Sequence, residues 1–376
     1  MAKGAYIGVG GVARKIKKGY VGVDGTARKI KKAYIGIGGV ARPCWAGGEL
    51  TYYGKITSLS EVKSSLAATT VGNYALFGGG RYVSNYRKSV DAYDKSLTKI
   101  SATALSYGVS GPAATTVGNY AIFAGGYAGN YYNYTKAYDS SLTQITMDYL
   151  YYERAALAAA NVGNYAIFAG GRQSSESYTS VTESYDTSLT RRTGSSLRAA
   201  VSNLAATSVG DYALFAGGYT GSESRAYTQA YDSSLTKTNI SNLSSTASSL
   251  AAATVGNYAL FGGGLDGSTN SVRASVSAYD ESLTKSSATS LSVARCHLAA
   301  TSVEGYAVFC GGDDNGVTLY NTVDVYDNSI TRTNDKTLNT ARRVIAATTV
   351  GNYAIFAGGT NMNTKYYADA EAFAVV

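Results

Sequence analysis

The sequence predicts an all-β fold, and two observations lead to this prediction. The 376-residue chain contains 43 Gly and 34 Tyr but only 2 Pro, a composition typical of regular strands joined by tight turns. A motif of the form Gly-Asn-Tyr-Ala-(Leu/Ile)-Phe-(Gly/Ala)-Gly-Gly, or a close variant of it, also occurs seven times, and successive copies lie 45 to 48 residues apart. Seven such units indicate a seven-bladed β-propeller. The tyrosines of the seven copies are Tyr74, Tyr120, Tyr165, Tyr212, Tyr258, Tyr306 and Tyr353.

Each unit is predicted to contain four short strands, named a to d. In the first unit, alternation and turn residues place them at residues 66–71, 74–77, 90–93 and 97–101. Strand a is rich in Ala and Thr, as expected for the innermost strand, because blades converge toward the axis and leave room only for small side chains. The aromatic residues of strand b are expected to pack between neighbouring blades.

The two ends of the repeat region predict how the ring closes. The last unit supplies strands a to c only, at residues 345–350, 353–356 and about 370–375. Residues 50–57, before the first unit, follow the pattern of strand d in the other units. The propeller is therefore predicted to span residues 50–376 and to be closed by its N-terminal strand, so that no open edge remains.

A second array of repeats precedes the propeller and carries the net charge of the chain. Residues 1–49 hold ten Lys or Arg and two acidic residues, whereas residues 50–376 hold 23 of each kind. Similar 14-residue phrases start at Tyr6, Tyr20 and Tyr34. Such small hairpins cannot bury enough apolar area to be stable alone, so residues 1–49 are predicted to be a basic segment that docks on a partner. Each copy predicts a β-hairpin, with turns at Gly10-Gly11, Asp24-Gly25 and Gly38-Gly39.

The repeat region resembles kelch repeats and the related central propeller domain of galactose oxidase. The resemblance covers residues 50–376 and includes the Gly-Gly after strand b. It departs from kelch repeats in strand d, which usually carries a Trp, because the only Trp here is Trp45. The other matching residues are the strand-c tyrosines Tyr93, Tyr138, Tyr185, Tyr231, Tyr279 and Tyr326, and the basic residues before strand a, Lys63, Arg154, Arg295 and Arg342.

The N-terminal hairpins resemble a leader that precedes kelch-like repeats in virion proteins of phages and prophages from Gram-positive hosts. This resemblance rests on the repeated sequence pattern Tyr-Ile-Gly-Val…Ala-Arg-Lys, which covers about 45 residues. It implies a virion protein that is made in the bacterial cytoplasm and forms homo-oligomers in the particle. Residues 1–49 would then contact other virion proteins, and the propeller loops would contact a glycan or protein of the host surface.

Residues that recur in every blade are expected to be structural, whereas residues that differ between blades are candidates for function. An Asp follows the strand-c Tyr in six units, where it can accept backbone hydrogen bonds at a tight turn. The loops between the Gly-Gly and strand c differ in every blade and are rich in Tyr, Ser, Gly and Asn, like an antibody paratope. Solvated loop filler remains the alternative interpretation.

In kelch-like propellers the residue directly after the Gly-Gly lies on the rim of the binding face. This resemblance and the loop composition together select the candidate ligand-binding residues. Aromatic faces beside Asn, Arg and Asp also suit sugar rings. The candidates are Arg81, Tyr127, Tyr131, Tyr132, Arg172, Tyr219 and Asp313.

Catalytic and metal chemistry is not expected from the residue inventory. Cys44, Cys296 and Cys310 lie far apart without Cys-x-x-Cys spacing, so neither a disulfide framework nor a zinc site is indicated. The single histidine, His297, cannot form the copper site of galactose oxidase and is interpreted as a packed or rim residue. Sialidase-type Ser-x-Asp-x-Gly-x-x-Trp turns are absent, and structural Asp residues spaced around a ring do not form a glycosidase pair. No cofactor is therefore expected.

The remaining partner classes are weighed on the same grounds. No run of about 18 apolar residues is present to cross a membrane. The basic hairpins lack an aromatic stacking platform, so nucleic acid is not expected as a partner. The sequence thus favours a non-enzymatic virion protein whose propeller binds a host surface component, with a glycan preferred. The alternative is a cellular kelch-type scaffold that binds a protein partner.

Overall fold

The computed structural model describes residues 48–362 and 364–376 and, within residues 1–47, the backbone of six strands. By its internal contacts the chain divides into two units, Met1–Thr51 with Ala374–Val376, and Tyr52–Phe373. In the part of the chain so described, the regular elements are β-strands, and no helix is long and apolar enough to cross a membrane.

The six N-terminal strands form three antiparallel hairpins, as predicted. The registers Val9↔Val12, Val23↔Thr26 and Ile37↔Val40 each leave two residues for the connection. The predicted turn residues themselves lie outside the described residues. The strands are β1 (Tyr6–Val9), β2 (Val12–Lys15), β3 (Gly19–Val23), β4 (Thr26–Ile30), β5 (Lys32–Ile37) and β6 (Val40–Ala46).

Seven four-stranded antiparallel sheets form the blades of a β-propeller, which confirms the predicted fold class. The last blade takes its outer strand, β7 (Leu50–Ile56), from the N-terminal side of the first blade, as predicted. Blade one contains β8 (Ala67–Val71), β9 (Tyr74–Gly78), β12 (Val90–Asp94) and β13 (Lys99–Ala102), with β10 (Arg81–Tyr82) and β11 (Asn85–Tyr86) as a loop hairpin. Blade two contains β14 (Ala113–Val117), β15 (Tyr120–Ala124), β16 (Thr135–Tyr138) and β17 (Gln144–Thr146). Blade three contains β18 (Ala158–Val162), β19 (Tyr165–Ala169), β20 (Thr182–Asp186) and β21 (Arg191–Thr193).

The other four blades repeat this order. Blade four contains β22 (Ala205–Val209), β23 (Tyr212–Ala216), β24 (Thr228–Asp232) and β25 (Lys237–Ile240). Blade five contains β26 (Ala251–Val255), β27 (Tyr258–Gly262), β30 (Val276–Asp280) and β31 (Lys285–Ser287), with β28 (Leu265–Asp266) and β29 (Ser271–Val272) as a loop hairpin. Blade six contains β32 (Ala299–Val303), β33 (Tyr306–Cys310), β34 (Thr322–Tyr326) and β35 (Arg332–Thr337). Blade seven contains β36 (Ala346–Val350), β37 (Tyr353–Ala357), β38 (Ala370–Val375) and β7.

The innermost strands contact one another in a closed ring, from β8 through β14, β18, β22, β26 and β32 to β36 and back. Small side chains permit this approach, and hydroxyl groups join neighbouring strands. Thr116 Oγ1, for example, lies 2.5 Å from the carbonyl oxygen of Thr70, and Thr349 Oγ1 lies 2.5 Å from that of Ser302. The prediction that strand a is innermost is confirmed.

The Gly-Gly of each blade is required by backbone geometry. Gly125 and Gly126 have φ of 71° and 124°, a region that side chains disfavour. A Cβ on Gly125 would lie 2.5 Å from the carbonyl oxygen of Arg154, which belongs to the next blade. The amide of Gly126 donates to that same oxygen at 2.8 Å. The equivalent bond occurs at all seven boundaries, so the Gly-Gly joins each blade to the next.

Each strand-c Tyr also joins two blades. The Tyr138 ring packs edge-on against Phe123 at 5.9 Å, and its hydroxyl donates to the carbonyl of Thr103 at 2.7 Å. Burial of this phenol raises the pKa of Tyr138 to about 12, although Gln144 beside it acts in the opposite direction. Tyr93 makes the same bond to Thr57, which ties blade one to the strand that closes the ring.

The predicted start of strand d was wrong by two residues. Leu97 has φ of 61° and lies in the turn, so the strand begins at Lys99. Asp94 Oδ1 accepts hydrogen bonds from the amides of Ser96 at 2.8 Å and Thr98 at 2.9 Å, and these bonds define the turn. The equivalent Asp makes the same pair of bonds in blades two to five, in agreement with its predicted structural role.

Candidate binding face

The propeller has two different ends, because connections between successive antiparallel strands alternate between the ends of a sheet. The a–b and c–d turns lie at one end, here named the turn face. The b–c loops and the connections between blades lie at the other, here named the loop face. All seven candidate binding residues belong to the loop face.

The residue after each Gly-Gly is fixed by the backbone. Arg81 forms an antiparallel bridge with Ser64, which precedes the inner strand of the same blade. The same bridge occurs in every blade, so five of the seven candidate residues occupy equivalent positions. The bridges are Ser64↔Arg81, Ser110↔Tyr127, Ala155↔Arg172, Ser202↔Tyr219, Ser248↔Leu265, Cys296↔Asp313 and Arg343↔Thr360.

In each blade, the residue that follows the bridge partner, such as Ser65 after Ser64, completes a ring of hydrogen bonds around the axis. Its amide donates to the carbonyl of the equivalent residue in the preceding blade, and the seven N···O distances are 2.8 to 3.3 Å. Every member adopts positive φ, between 52° and 63°. The ring fixes the centre of the loop face through backbone atoms alone. Its members are Ser65, Gly111, Ala156, Asn203, Ser249, His297 and Val344.

Tyrosines form an arc across this face, from blade seven through blade one to blade four. Neighbouring rings meet at three of these blade boundaries, for example with centroid distances of 5.2 Å between Tyr366 and Tyr82 and 5.9 Å between Tyr86 and Tyr127. We name this set the aromatic arc. It includes four of the predicted binding residues, namely Arg172 and three tyrosines. Its members are Tyr366, Tyr82, Tyr86, Tyr127, Tyr131, Arg172, Tyr178 and Tyr219.

Arg172 lies within the arc and is held in place. Its Nε and Nη2 donate to the carbonyls of Ser174 at 2.8 Å and Ser175 at 2.6 Å. The guanidinium carbon lies 5.7 Å from the centroid of the Tyr178 ring, which in turn packs edge-on against Tyr219 at 6.0 Å. The cation is therefore held beside the Tyr178 ring, an arrangement that favours a flat or anionic ligand group.

The structure separates the predicted blade-two tyrosines into two groups. Tyr131 packs on Tyr127 at 5.0 Å and belongs to the arc. Tyr132 stacks instead on Tyr134 at 4.9 Å and packs against the buried core of blades one and two. Tyr107 stacks on Tyr134 at 4.0 Å, and the hydrogen bond between these two hydroxyls, with burial, raises the pKa of Tyr134 to about 12. Tyr132 is thus partly a core residue.

The first and the last candidate residues along the chain differ in the exposure of their side chains. Arg81 is exposed, whereas Asp313 is fully buried. Asp313 Oδ2 lies 3.1 Å from His297 Nδ1 and 3.2 Å from Arg343 Nη1, and Oδ1 accepts from the amide of Asn315 at 2.7 Å. Burial opposes ionisation of this carboxyl, but these partners outweigh it and lower the pKa of Asp313. Its side chain therefore holds the blade-six loop and does not project from the face.

Cys296 lies beside the same carboxylate, 3.1 Å from His297 Nδ1. In a catalytic triad, one ring nitrogen of the histidine accepts the proton of the nucleophile and the other nitrogen binds the orienting acid. Here Nδ1 alone faces both the Cys296 thiol and Asp313. This is not the geometry of a nucleophile, base and orienting acid. Burial also raises the pKa of the Cys296 thiol. Cys310 is fully buried among the core residues of blade six.

Beneath the loop face lie four buried ion pairs whose acidic members the sequence analysis missed. The basic residues had been identified, but not their partners on strand c. Blades two, four and five have Val109, Val201 and Ala247 at the basic position and carry no acid at the partner position. This covariation between repeats was the available signal. The pairs are Lys63–Asp91, Arg154–Glu183, Arg295–Asp324 and Arg342–Glu371, at 3.2, 2.8, 2.7 and 3.1 Å.

Comparison with known proteins identifies the fold. No protein-family model matches the chain, and no curated protein matches it. Among solved structures, that of YjhT superposes with a TM-score of 0.58 at 11% sequence identity, covering 75% of this chain and 99% of YjhT. At this identity the likeness concerns the fold alone. The seven sheets, the Gly-Gly boundaries and this neighbour together show that the chain is a seven-bladed β-propeller.

Proposed function

We propose that this chain is a non-catalytic binding protein of a phage or phage-derived particle, and that its loop face binds a glycan of the bacterial host surface. The observation that carries the proposal is the aromatic arc. Exposed and half-buried tyrosines of the b–c loops lie on the loop face, where the loops differ from blade to blade, and their rings meet at three of the boundaries between blade seven and blade four.

The geometry of the arc favours a polymeric ligand. Edge-on packing between tyrosines leaves ring faces available, and sugar rings stack on such faces through their C–H groups. Phenol hydroxyls, Arg172 and the Asn side chains of the loops can bond the sugar hydroxyls. Because the arc crosses the boundaries between five blades, it is long enough to contact several successive residues of a polysaccharide.

The charge distribution supports different roles for the N-terminal hairpins and the propeller. Residues 1–49 carry the whole net charge of +8, and the propeller is neutral. Under the proposal the basic hairpins dock on acidic surfaces of other virion proteins, where the chain assembles as a homo-oligomer. The neutral propeller then remains free to face the host.

The test uses fluorescently labelled full-length protein and purified Gram-positive cell walls. Replacing Tyr131 and Tyr178 together by Ala should weaken wall binding roughly thirtyfold, equivalent to about 2 kcal/mol, the scale of aromatic anchors. Tyr53→Ala is the matched control, because Tyr53 is 55% exposed but lies on the outer strand of blade seven. Melting curves check that each variant is folded.

Walls stripped with hydrofluoric acid show whether the polysaccharide that this acid releases is the ligand. Binding should be lost on stripped walls and should be competed by the released polysaccharide. Equal binding by the double variant and the Tyr53 control would contradict the role of the arc. Full binding to stripped walls would exclude the released polysaccharide as the ligand.

A further inference from the structure

We propose that Cys296, His297 and Asp313 form a binding site for one divalent transition-metal ion of the zinc type, at the loop-face end of blade six. Their ligating atoms all lie within 4.8 Å of one another, and within the described residues this is the one group of three such donors. The inference does not depend on the proposed glycan function.

The spacing of the three donor atoms fits a tetrahedral ion. Cys296 Sγ lies 3.1 Å from His297 Nδ1 and 3.5 Å from Asp313 Oδ1, and Nδ1 lies 3.4 Å from Oδ1. In a tetrahedral zinc site with Zn–S near 2.3 Å and Zn–N or Zn–O near 2.1 Å, such atoms are about 3.4 to 3.6 Å apart. The distance between Cys296 Sγ and His297 Nδ1 must lengthen by a few tenths of an ångström on binding.

The backbone holds the three residues before any ion binds. Cys296 and Asp313 exchange two amide-to-carbonyl hydrogen bonds, at 2.9 and 3.0 Å. The His297 amide is a member of the axial ring and donates to Ser249 at 3.0 Å. A site on three anchored backbone positions loses little entropy when it binds its ion.

Arg343 at first argues against a cation site, but it contacts the other oxygen. Its Nη1 lies 3.2 Å from Asp313 Oδ2, whereas Oδ1, which also accepts from the Asn315 amide, lies 3.5 Å from Cys296 Sγ and 3.4 Å from His297 Nδ1. A guanidinium on the second oxygen orients the ligating carboxylate, as outer-shell partners of metal ligands commonly do. Binding releases the thiol proton to solvent, and His297, 27% exposed, leaves a path for a water as fourth ligand.

The repeats provide an internal control for this site. At the positions of Cys296, His297 and Asp313, blade one has Ser64, Ser65 and Arg81, and blade two has Ser110, Gly111 and Tyr127. Blade six alone combines Cys, His and Asp there, and it uses the single histidine of the chain. No metal site was expected from the sequence, because the three cysteines have no Cys-x-x-Cys spacing and the chain has a single histidine. The bridge between β-strand ends brings Cys296, His297 and Asp313 together.

The experiment titrates the full chain with Co²⁺ and then Zn²⁺ after chelator treatment. The background carries Cys44→Ser and Cys310→Ala, so that Cys296 is the sole thiol. We expect one ion per chain, a near-ultraviolet thiolate-to-cobalt absorption band, and a higher melting temperature with Zn²⁺. Three ligand variants import residues that other blades have at these positions: Cys296→Ser, His297→Asn and Asp313→Thr.

Each ligand variant should weaken Zn²⁺ binding by more than the roughly 10- to 100-fold that loss of an outer-shell partner costs. Cys296→Ser should also abolish the cobalt band. His297→Asn suits the positive φ of this position, because Asn203 occupies it in blade four. Absence of stoichiometric binding by the background chain, or unchanged affinity in folded Cys296→Ser protein, would overturn the proposal.

Discussion

The turn face and the loop face of this propeller are built on different principles. On the turn face the same Asp side chain organises the c–d turn of successive blades, by accepting two amide hydrogen bonds. On the loop face the backbone does this work, through the seven bridges and the ring of amide-to-carbonyl bonds around the axis. A frame made of backbone bonds places few demands on side chains, so the loop face can vary while the turn face repeats.

The comparison also shows where stability resides. The loop face stands on the Gly-Gly boundaries and the buried ion pairs beneath it, and these elements are copied between blades. Substitutions beneath the face should therefore cost far more than substitutions on it. Three predictions test this difference.

The largest effect is expected for Arg154→Val, which removes one member of a buried ion pair. Arg154 Nη2 lies 2.8 Å from Glu183 Oε2, and both side chains are fully buried. Loss of the cation leaves the Glu183 carboxylate uncompensated, so we expect the free energy of unfolding to fall by about 3–5 kcal/mol. Urea denaturation measures this.

The repeat offers a matched rescue. Blade four has Val201 and Gln229 at these positions, and Gln229 Oε1 accepts from the Arg198 amide at 3.2 Å, as Glu183 Oε1 accepts from the Tyr151 amide at 2.5 Å. The double variant Arg154→Val, Glu183→Gln should recover most of the loss. If the single variant is as stable as the unsubstituted chain, the buried pair beneath the face does not stabilise the fold.

The second prediction compares adjacent residues of one loop. Tyr132→Ala should cost about 1–3 kcal/mol of stability, because Tyr132 stacks on Tyr134 and packs against the core. Tyr131→Ala should cost less than about 1 kcal/mol, because its half-buried ring packs on Tyr127 in the surface loops. Wall binding should show the opposite order. Equal unfolding midpoints for the two variants would show that the loop is a single structural unit.

Most of the fold could be predicted from the sequence, because a repeat reveals its own boundaries. Seven copies of the Gly-Gly phrase set the blade count, and the incomplete last unit with the extra segment at residues 50–57 set the closure. The start of strand d was missed because Leu97 adopts positive φ, which its residue type disfavours. The Asp94 hydrogen bonds stabilise that conformation, and the Asp that recurs before this turn in six units was the available signal.

The candidate site was less predictable, because it depends on contacts between blades. The sequence placed Tyr127, Tyr131 and Tyr132 together by proximity in the chain, whereas ring packing assigns Tyr132 to a different group. Asp313 was selected for its rim position, and its carboxylate is buried by partners from two blades. Tyr366 and Tyr82 come from opposite ends of the propeller sequence, and only ring closure brings them together.

The smallest expected effect concerns the turn face. Asp139 Oδ1 accepts from the Ser141 hydroxyl at 2.6 Å and from the amides of Ser141 and Thr143 at 2.9 and 3.0 Å. The Ser141 hydroxyl is the largest influence on this carboxyl, and together with the amides it lowers the pKa of Asp139 against a smaller effect of burial. A lowered folded-state pKa contributes stability above the ordinary Asp value of about 3.9, and this contribution is lost as pH falls through the folded-state pKa.

Asp139→Asn keeps an oxygen acceptor but no charge, so near neutral pH it should cost less than about 1 kcal/mol. Below about pH 4 its stability should fall less steeply than that of the unsubstituted chain, because one proton-linked group is gone. Ser141→Ala retains the charge and removes the strongest hydrogen bond, so its acid dependence should lie between the two. Urea unfolding of the three proteins across this pH range measures the difference. Identical acid dependence in all three would mean that the turn is held by its backbone, as the loop face is, and the contrast between the two faces would disappear.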